Sequence, residues 1–154
     1  MAARTVVGTV SSTAIAISAS LPATYDAAGY AATTITYTTI GEVENFGNHG
    51  VTAAVTEFTP IATAVVAKMK GSKNYGNMSL VVGDIATNAG QVILKAASES
   101  NNHYSVKLTY PDNEIHYLDV IVAKHEFQGG AVNDAMKVAC DLAICRAPII
   151  VAAV

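Results

Sequence analysis

The side chains best suited to chemistry in this chain are four histidines, His49, His103, His116 and His125, because a neutral imidazole binds metal ions and titrates near neutral pH. Their spacing argues against a shared ion. If the residues flanking Pro111 pair as a hairpin, His103 falls opposite Ile121 and His116 opposite Leu108, about five strand positions or roughly 17 Å apart. His49 lies in a glycine-bounded loop, His125 sits at the far end of its run, and no cysteine or second histidine stands at a ligand spacing. Surface or edge histidines are therefore expected, and no metal site. Asp84, Asp112, Asp119 and Asp141 are scattered, with no serine or histidine in a known triad order, so no catalytic residue and no enzyme is expected. The glycines of Gly47–Gly50 and Gly129–Gly130 lack the strand, glycine loop and helix order that cradles phosphate; they read as turns, and no cofactor is expected. Cys140 and Cys145 lie five apart in one strand-like run, on opposite faces and roughly 17 Å apart, so they cannot bridge. Glu42, Glu44 and Glu57 form either a solvated face or the acidic lining of a channel.

The elements that would position these residues are constrained by composition. A chain of 154 residues fits one domain spanning residues 1–154, with a core that needs no disulfide or metal. Charged residues make up only 14% and apolar residues 51%, against roughly 25% charged in an ordinary soluble domain. So little charge clothes a monomer poorly, and burial against other subunits is the expected remedy. No apolar run approaches the roughly 20 residues of a spanning helix, and Ala3-Arg4-Thr5 opens no secretory signal, so no membrane segment is expected. A net charge of −3 offers no basic footprint for phosphates, which excludes an ordinary nucleic-acid binder.

Apolar spacing switches from period two to 3.6 at one place, between Leu80 and Ser98, and predicts the chain's one clear helix over about 85–98. Ile85, Ala89, Val92, Ile93, Ala96 and Ala97 would form its buried stripe, and Asn88 with Gln91 has the form of a capping box. The remainder alternates as strands. Residues 1–12 read as an extended arm, and Thr13–Ser18 as a strand with Ile15 and Ile17 inward. Leu21–Ala32 reads as a loop. The run from Thr33 to Glu44 reads as one long strand with Ile35, Tyr37 and Val43 on one face and Thr34, Thr36, Thr38, Glu42 and Glu44 on the other. Residues 47–60 read as a long connection, Ile61–Lys70 as a strand, and Gly71–Gly76 as a turn. Tyr110-Pro111-Asp112-Asn113-Glu114 fits a three-residue hairpin loop, which sets Leu108 opposite His116, Val106 opposite Leu118 and Tyr104 opposite Val120. A last strand faces Met136, Val138, Cys140, Leu142 and Ile144 inward. Pro148 ends regular pairing and leaves Ile149–Val154 as an apolar tail. About seven strands and one helix make a mainly β fold, a β-sandwich or barrel.

Ile17–Ala32, read ISASLPATYDAAGYAA, followed by the YTTIGEV of Tyr37–Val43, resembles the opening of major tail tube proteins of long, non-contractile bacteriophage tails. The likeness continues through Lys70-Gly71-Ser72, Asn88-Ala89-Gly90-Gln91 and the Tyr104–Tyr117 hairpin. Residues 45–60 depart from that pattern in being unusually apolar and poor in charge. The resemblance implies a β-sandwich with a flanking helix, six copies per ring, and rings stacked into a tube whose inward strands join in one barrel. DNA would pass through the lumen without specific binding, and tape measure, tail terminator and tail tip proteins would be partners. The virion tail would be its location, after assembly in the host cytoplasm. On this reading Thr34, Thr36, Thr38, Glu42 and Glu44 are the candidate lumen residues. Gly47, His49, Val51, Val55, Phe58, Ile149, Ile150 and Val151 are the candidates for contacts between subunits and rings. A small-ligand-binding β-barrel or another oligomeric β-structural protein is the alternative, but for the former the small Ala and Thr side chains suit closely packed sheets better than an apolar cavity.

Overall fold

The hairpin around Pro111 forms as its loop chemistry dictates. In a computed structural model describing residue 4 and residues 6–153, Asn113 takes φ 65°, the left-handed conformation that Asn tolerates. The Tyr110 N–H donates to the Glu114 carbonyl at 2.9 Å. Tyr104 pairs with Val120, Val106 with Leu118 and Leu108 with His116, the expected register. In chain order the elements are β1 (Ala14–Ser18), α1 (Ala27–Tyr30), β2 (Thr38–Thr39), β3 (Val43–Phe46), β4 (Thr52–Phe58) and β5 (Ala67–Asn74). They continue with β6 (Asn77–Gly83), α2 (Ala89–Ser98), β7 (Tyr104–Thr109), β8 (Ile115–Gln128), β9 (Lys137–Ile144) and β10 (Ile149–Val151). The part of the expected arm at residues 1–3 and 5, and Val154 of the tail, lie outside the described residues.

Eight strands form one antiparallel sheet in the order β2-β1-β7-β8-β9-β6-β3, with β10 on β8. Its two edge strands, β2 and β3, are separated in sequence only by Ile40–Glu42. A link that short spans little more than 10 Å, so the sheet must curl until its edges approach, which makes it a sandwich. β8 serves both layers: it pairs with β7 from Ile115 to Val120 and with β9 from Val120 to Gln128. A bulge between Val122 and Lys124 bends it and shifts the side-chain parity, so that His125 and Phe127 follow Leu118, Val120 and Val122 on the core side of the register, Phe127 lying beyond the core and exposed. Between the layers lies one core of Ile15, Ile17, Met78, Leu80, Val82, Val106, Leu118, Val120, Val138, Cys140 and Leu142. Burial lifts the Cys140 thiol to about 11. Met136, expected to point inward, precedes β9 and is exposed; its carbonyl is held by the Asp84 N–H.

Helix α2 covers the open end of the sandwich, leaning on β8, β1 and β2. Asn88 caps it as the sequence predicts, its Oδ1 accepting from the Gln91 N–H at 3.1 Å, so the helix starts at Ala89 and not near Ile85. The buried stripe is Gly90, Gln91, Leu94 and Ala97, while Ile85, Ala89, Val92 and Ala96 are exposed and Ile93 is half-buried. Gln91 draws this face inward. Its amide donates to the carbonyls of Gly41 and Gly83 and accepts from the Ile85 N–H at 3.0 Å, leaving no part of a buried amide unpaired.

That clamp breaks the long strand expected over Thr33–Glu44. Gly41 donates to Asn88 Oδ1, Glu42 takes φ 54°, and Ile40, which shares the threonines' parity, is buried. Only Thr38–Thr39 and Val43–Phe46 pair. Beyond β3 and β6 the same hairpin continues as the ribbon of β4 and β5. The expected connection at 47–60 thus contains a strand, and the strand expected over Ile61–Lys70 begins only at Ala67. Gly71–Asn74, expected in a turn, belong to β5; the turn shrinks to Tyr75–Gly76, with Gly76 at φ 70°. The single turn of α1, capped by Asp26, lies inside the expected loop. Regular pairing also resumes after Pro148, where β10 adds to β8 through Ile149–Tyr117, Ile150–His116 and Val151–Ile115.

Candidate assembly surfaces

Among the described residues, the β4–β5 ribbon is a sheet that carries almost no burial: all of its residues are exposed except Ala53, which is half-buried. Register assigns its faces. Ala53–Lys73, Val55–Lys70 and Glu57–Lys68 pair on one side, with Lys68 bonded to Glu57 at 3.1 Å. Thr52–Asn74, Thr56–Met69 and Phe58–Ala67 pair on the other, where Phe58 is 59% and Met69 54% exposed. One face is charged and one is largely apolar. A lone two-stranded ribbon is marginal in water, so such a face calls for a partner surface.

A second open surface is the outer face of β3, β6, β9 and the end of β8. Ser79, Asp141 and Lys124 stand in one cross-strand row, and Val81, Ala139 and Glu126 in the next. Ser79 donates to Asp141 at 2.9 Å, Lys137 to Glu44 at 2.7 Å, and Lys124 pairs with Glu126 at 3.0 Å. Its charges are almost balanced, with the carboxylates in slight excess.

The sequence-derived lumen candidates are not brought onto one strand. Glu44 lies on the surface just described. Thr34 and Thr36 are exposed in the segment leading to β2, Thr38 is half-buried within it, and Glu42 is exposed at the kink. Among the contact candidates, Gly47 docks its N–H on the Ser79 carbonyl, where a Cβ would meet the Ser79 nitrogen at 2.9 Å. Val51 and Val55 are exposed on the ribbon and its root. In β10, Ile149 and Val151 are half-buried and Ile150 is 61% exposed.

Two polar clusters escape the sequence reading. His49 and His116 meet Nε2 to Nδ1 at 2.7 Å, and His116 Nε2 lies 2.8 Å from Glu114 Oε1. They stand 67 residues apart in sequence, so only the fold joins them. Burial first, and the neighbouring His116 second, push His49 below the ordinary histidine value. Arg4 bonds Asp112 at 2.7 Å, and that bond holds the Asp112 carboxyl down at about 2. In the other cluster, fully buried Asp119 accepts from His103 Nδ1 at 2.8 Å and from Arg146 Nε at 2.9 Å, while Arg146 lies over the Tyr25 ring at 3.8 Å. The hairpin register carried a signal for this one, since it puts Asp119 two positions from the residue opposite His103, within diagonal reach.

The family model described as "Phage tail tube protein, TTP" matches residues 2–153. A chain of the anti-feeding prophage baseplate, seen by cryo-electron microscopy with six-fold symmetrisation, is similar in fold with TM-score 0.70 and 10% identity, over 99% of each chain. The SPP1 tail tube subunit gives TM-score 0.59 and 11% identity, over 91% of this chain and 76% of that one. A subunit of a gene transfer agent tail refined with C6 symmetry gives TM-score 0.59 and 11% identity, over 90% and 96%. No curated protein matches the sequence.

Proposed function

Because this chain belongs to the phage tail tube protein family and is a tube-forming structural protein of the virion, we propose that six copies close into a ring and that rings stack through the β4–β5 ribbon. The observation that carries this reading is the ribbon itself. It continues the β3–β6 hairpin beyond the core and presents Phe58, Met69 and Ala67 to solvent, an arrangement that a neighbouring subunit makes favourable by burying it. β10, with Ile150 outward, supplies a further edge for the same purpose.

Glu44, together with Lys137, Asp141, Lys124 and Glu126, lines the lumen in this reading. Neighbouring copies of this open face then complete one barrel. Thr34, Thr36, Thr38 and Glu42 sit on or beside the β1–β2 layer and fit the seam or outer wall better. A lining whose charges nearly cancel suits a conduit through which DNA slides without being held. The role is structural and not enzymatic. Tape measure, terminator and tail tip proteins are the partners such a tube requires, and the virion tail is its place after assembly in the host cytoplasm.

Negative-stain electron microscopy of the purified protein tests the proposal: rings or tubes are expected at neutral pH. Replacing Phe58→Ser and Met69→Ser together leaves the subunit folded, since both side chains are exposed, and abolishes stacking. A wild-type protein that stays monomeric at every concentration overturns the tube reading. Normal tubes from the double variant overturn the ribbon's part in it.

A further inference from the structure

His49 sits between β3 and β4, at the root of the ribbon, and among the described residues its side chain is hydrogen-bonded to the β7–β8 hairpin by the 2.7 Å contact with His116. Two imidazole nitrogens that close must share one proton, the first donating and the second offering its lone pair. The surroundings fix which. His116 Nε2 faces Glu114 Oε1 at 2.8 Å, an acceptor, so Nε2 carries hydrogen and Nδ1 is free to accept from His49 Nε2–H. One added proton is accommodated. His116 then donates from both nitrogens, to Glu114 and to His49, while His49 turns its own hydrogen toward the Gly47 backbone. A second proton is not accommodated, because it sets N–H against N–H and cation against cation across the same gap.

The groups around the pair sharpen this limit. From the arm, Arg4 reaches Glu114 at 3.6 Å and Asp112 at 2.7 Å and lies over the Tyr110 ring. From the hairpin, Glu114 is already engaged by Arg4, and the Tyr110 ring packs edge-on against His116. From β3, Glu44 lines the same cleft as His49 but is bound to Lys137. Tyr75, from the β5–β6 turn, and the apolar residues Val51, Pro148 and Ile150 close the other side. Among the described residues, no carboxylate is bonded to His49 to welcome its charge.

We propose that the His49–His116 pair is a proton-operated latch on the ribbon root, closed while the pair holds at most one added proton and opened by the second. This rests on the reading that the ribbon joins subunits. The sign follows from His49, whose charged form the latched state disfavours. Latch stability is full above the ordinary histidine value near 6.5 and is lost as pH falls from there toward the depressed one. Acidification therefore loosens the ribbon, and neutral pH seats it.

The test is amide hydrogen exchange of the full-length subunit at pH 7.5 and 5.0, corrected for the intrinsic rate at each pH, reading the Gly47 amide and the amides of β4. Wild type is expected to lose about tenfold in protection there on acidification. His116→Gln and, separately, His49→Gln, which cannot titrate, are expected to show no pH-dependent loss. Equal protection of wild type at both pH values overturns the latch, and so does a matching loss in whichever glutamine variant folds. Tube formation, scored by microscopy on the same wild-type sample at pH 7.5, judges the assembly reading separately.

Discussion

At the scale of single residues, the strongest polar commitment is Asp119, a fully buried carboxylate whose two partners, His103 and Arg146, both reach solvent. The asymmetry decides what each substitution does. Asp119→Asn keeps one oxygen to accept from Arg146 and turns its NH2 toward His103 Nδ1, which can accept in the other tautomer, and it leaves a guanidinium that water can serve, so about 1–2 kcal/mol is lost. Arg146→Met instead leaves the buried charge with His103 alone, and stranding a buried charge costs about 3–5 kcal/mol. Urea unfolding should therefore rank Arg146→Met as the more destabilised protein. The reverse order would show that Asp119 is held chiefly by groups other than Arg146. Tyr30 and Tyr117 stack nearby at 5.2 Å between ring centroids, and burial pushes the Tyr30 hydroxyl up to about 12, so this outer-face cluster stays neutral around its one ion pair.

At the scale of elements, the decisive contact is the approach of α2 to the β2 edge at Gly90. A Cβ there would meet the Thr39 carbonyl oxygen at 2.4 Å and the Ile40 Cα at 2.8 Å, and backbone atoms cannot yield as a side-chain end would. Gly90→Ala gains about 1 kcal/mol of helix propensity but forces helix and strand apart, at a cost of about 1–3 kcal/mol. Thermal unfolding should show a net loss, and a raised Tm would mean that the helix can shift freely. This contact also marks where sequence legibility ends. The β7–β8 register, the Asn88 cap and the inward faces of β1 and β9 were legible, because turn chemistry and core alternation are written locally. The buried stripe of α2 was not, since Gly90 and Gln91 are inward for tertiary reasons: a close approach and hydrogen bonds to Gly41 and Gly83. Nor was the ribbon, where neither face is buried within the subunit and the period-two signal has no core to create it. The kink at Gly41–Glu42, imposed by the helix start, made two short strands look like one.

At the scale of the whole molecule, the lumen assignment turns on charge summed over many copies. Glu44 and Glu126 are exposed on the outer face of the β3–β6–β9 layer, each paired with a lysine that is itself at the surface. Exposed pairs of this kind contribute about 0–1 kcal/mol, so Glu44→Lys with Glu126→Lys should leave folding and ring formation largely intact. What changes is the field. A face with slightly more carboxylates than ammonium groups acquires a clear positive excess in every subunit, repeated around each ring and along the tube. DNA in such a lumen would release condensed counterions into solution as the lysines neutralise its phosphates, and its attraction to the wall would weaken steeply with salt. Virions carrying both substitutions should therefore eject DNA several-fold more slowly than wild type at low ionic strength, and approach the wild-type rate as salt is raised. The same pair of changes on an outer wall would alter surface charge but not ejection. An unchanged rate at low salt would place Glu44 and Glu126 outside the channel and move the lining to another face of the sandwich.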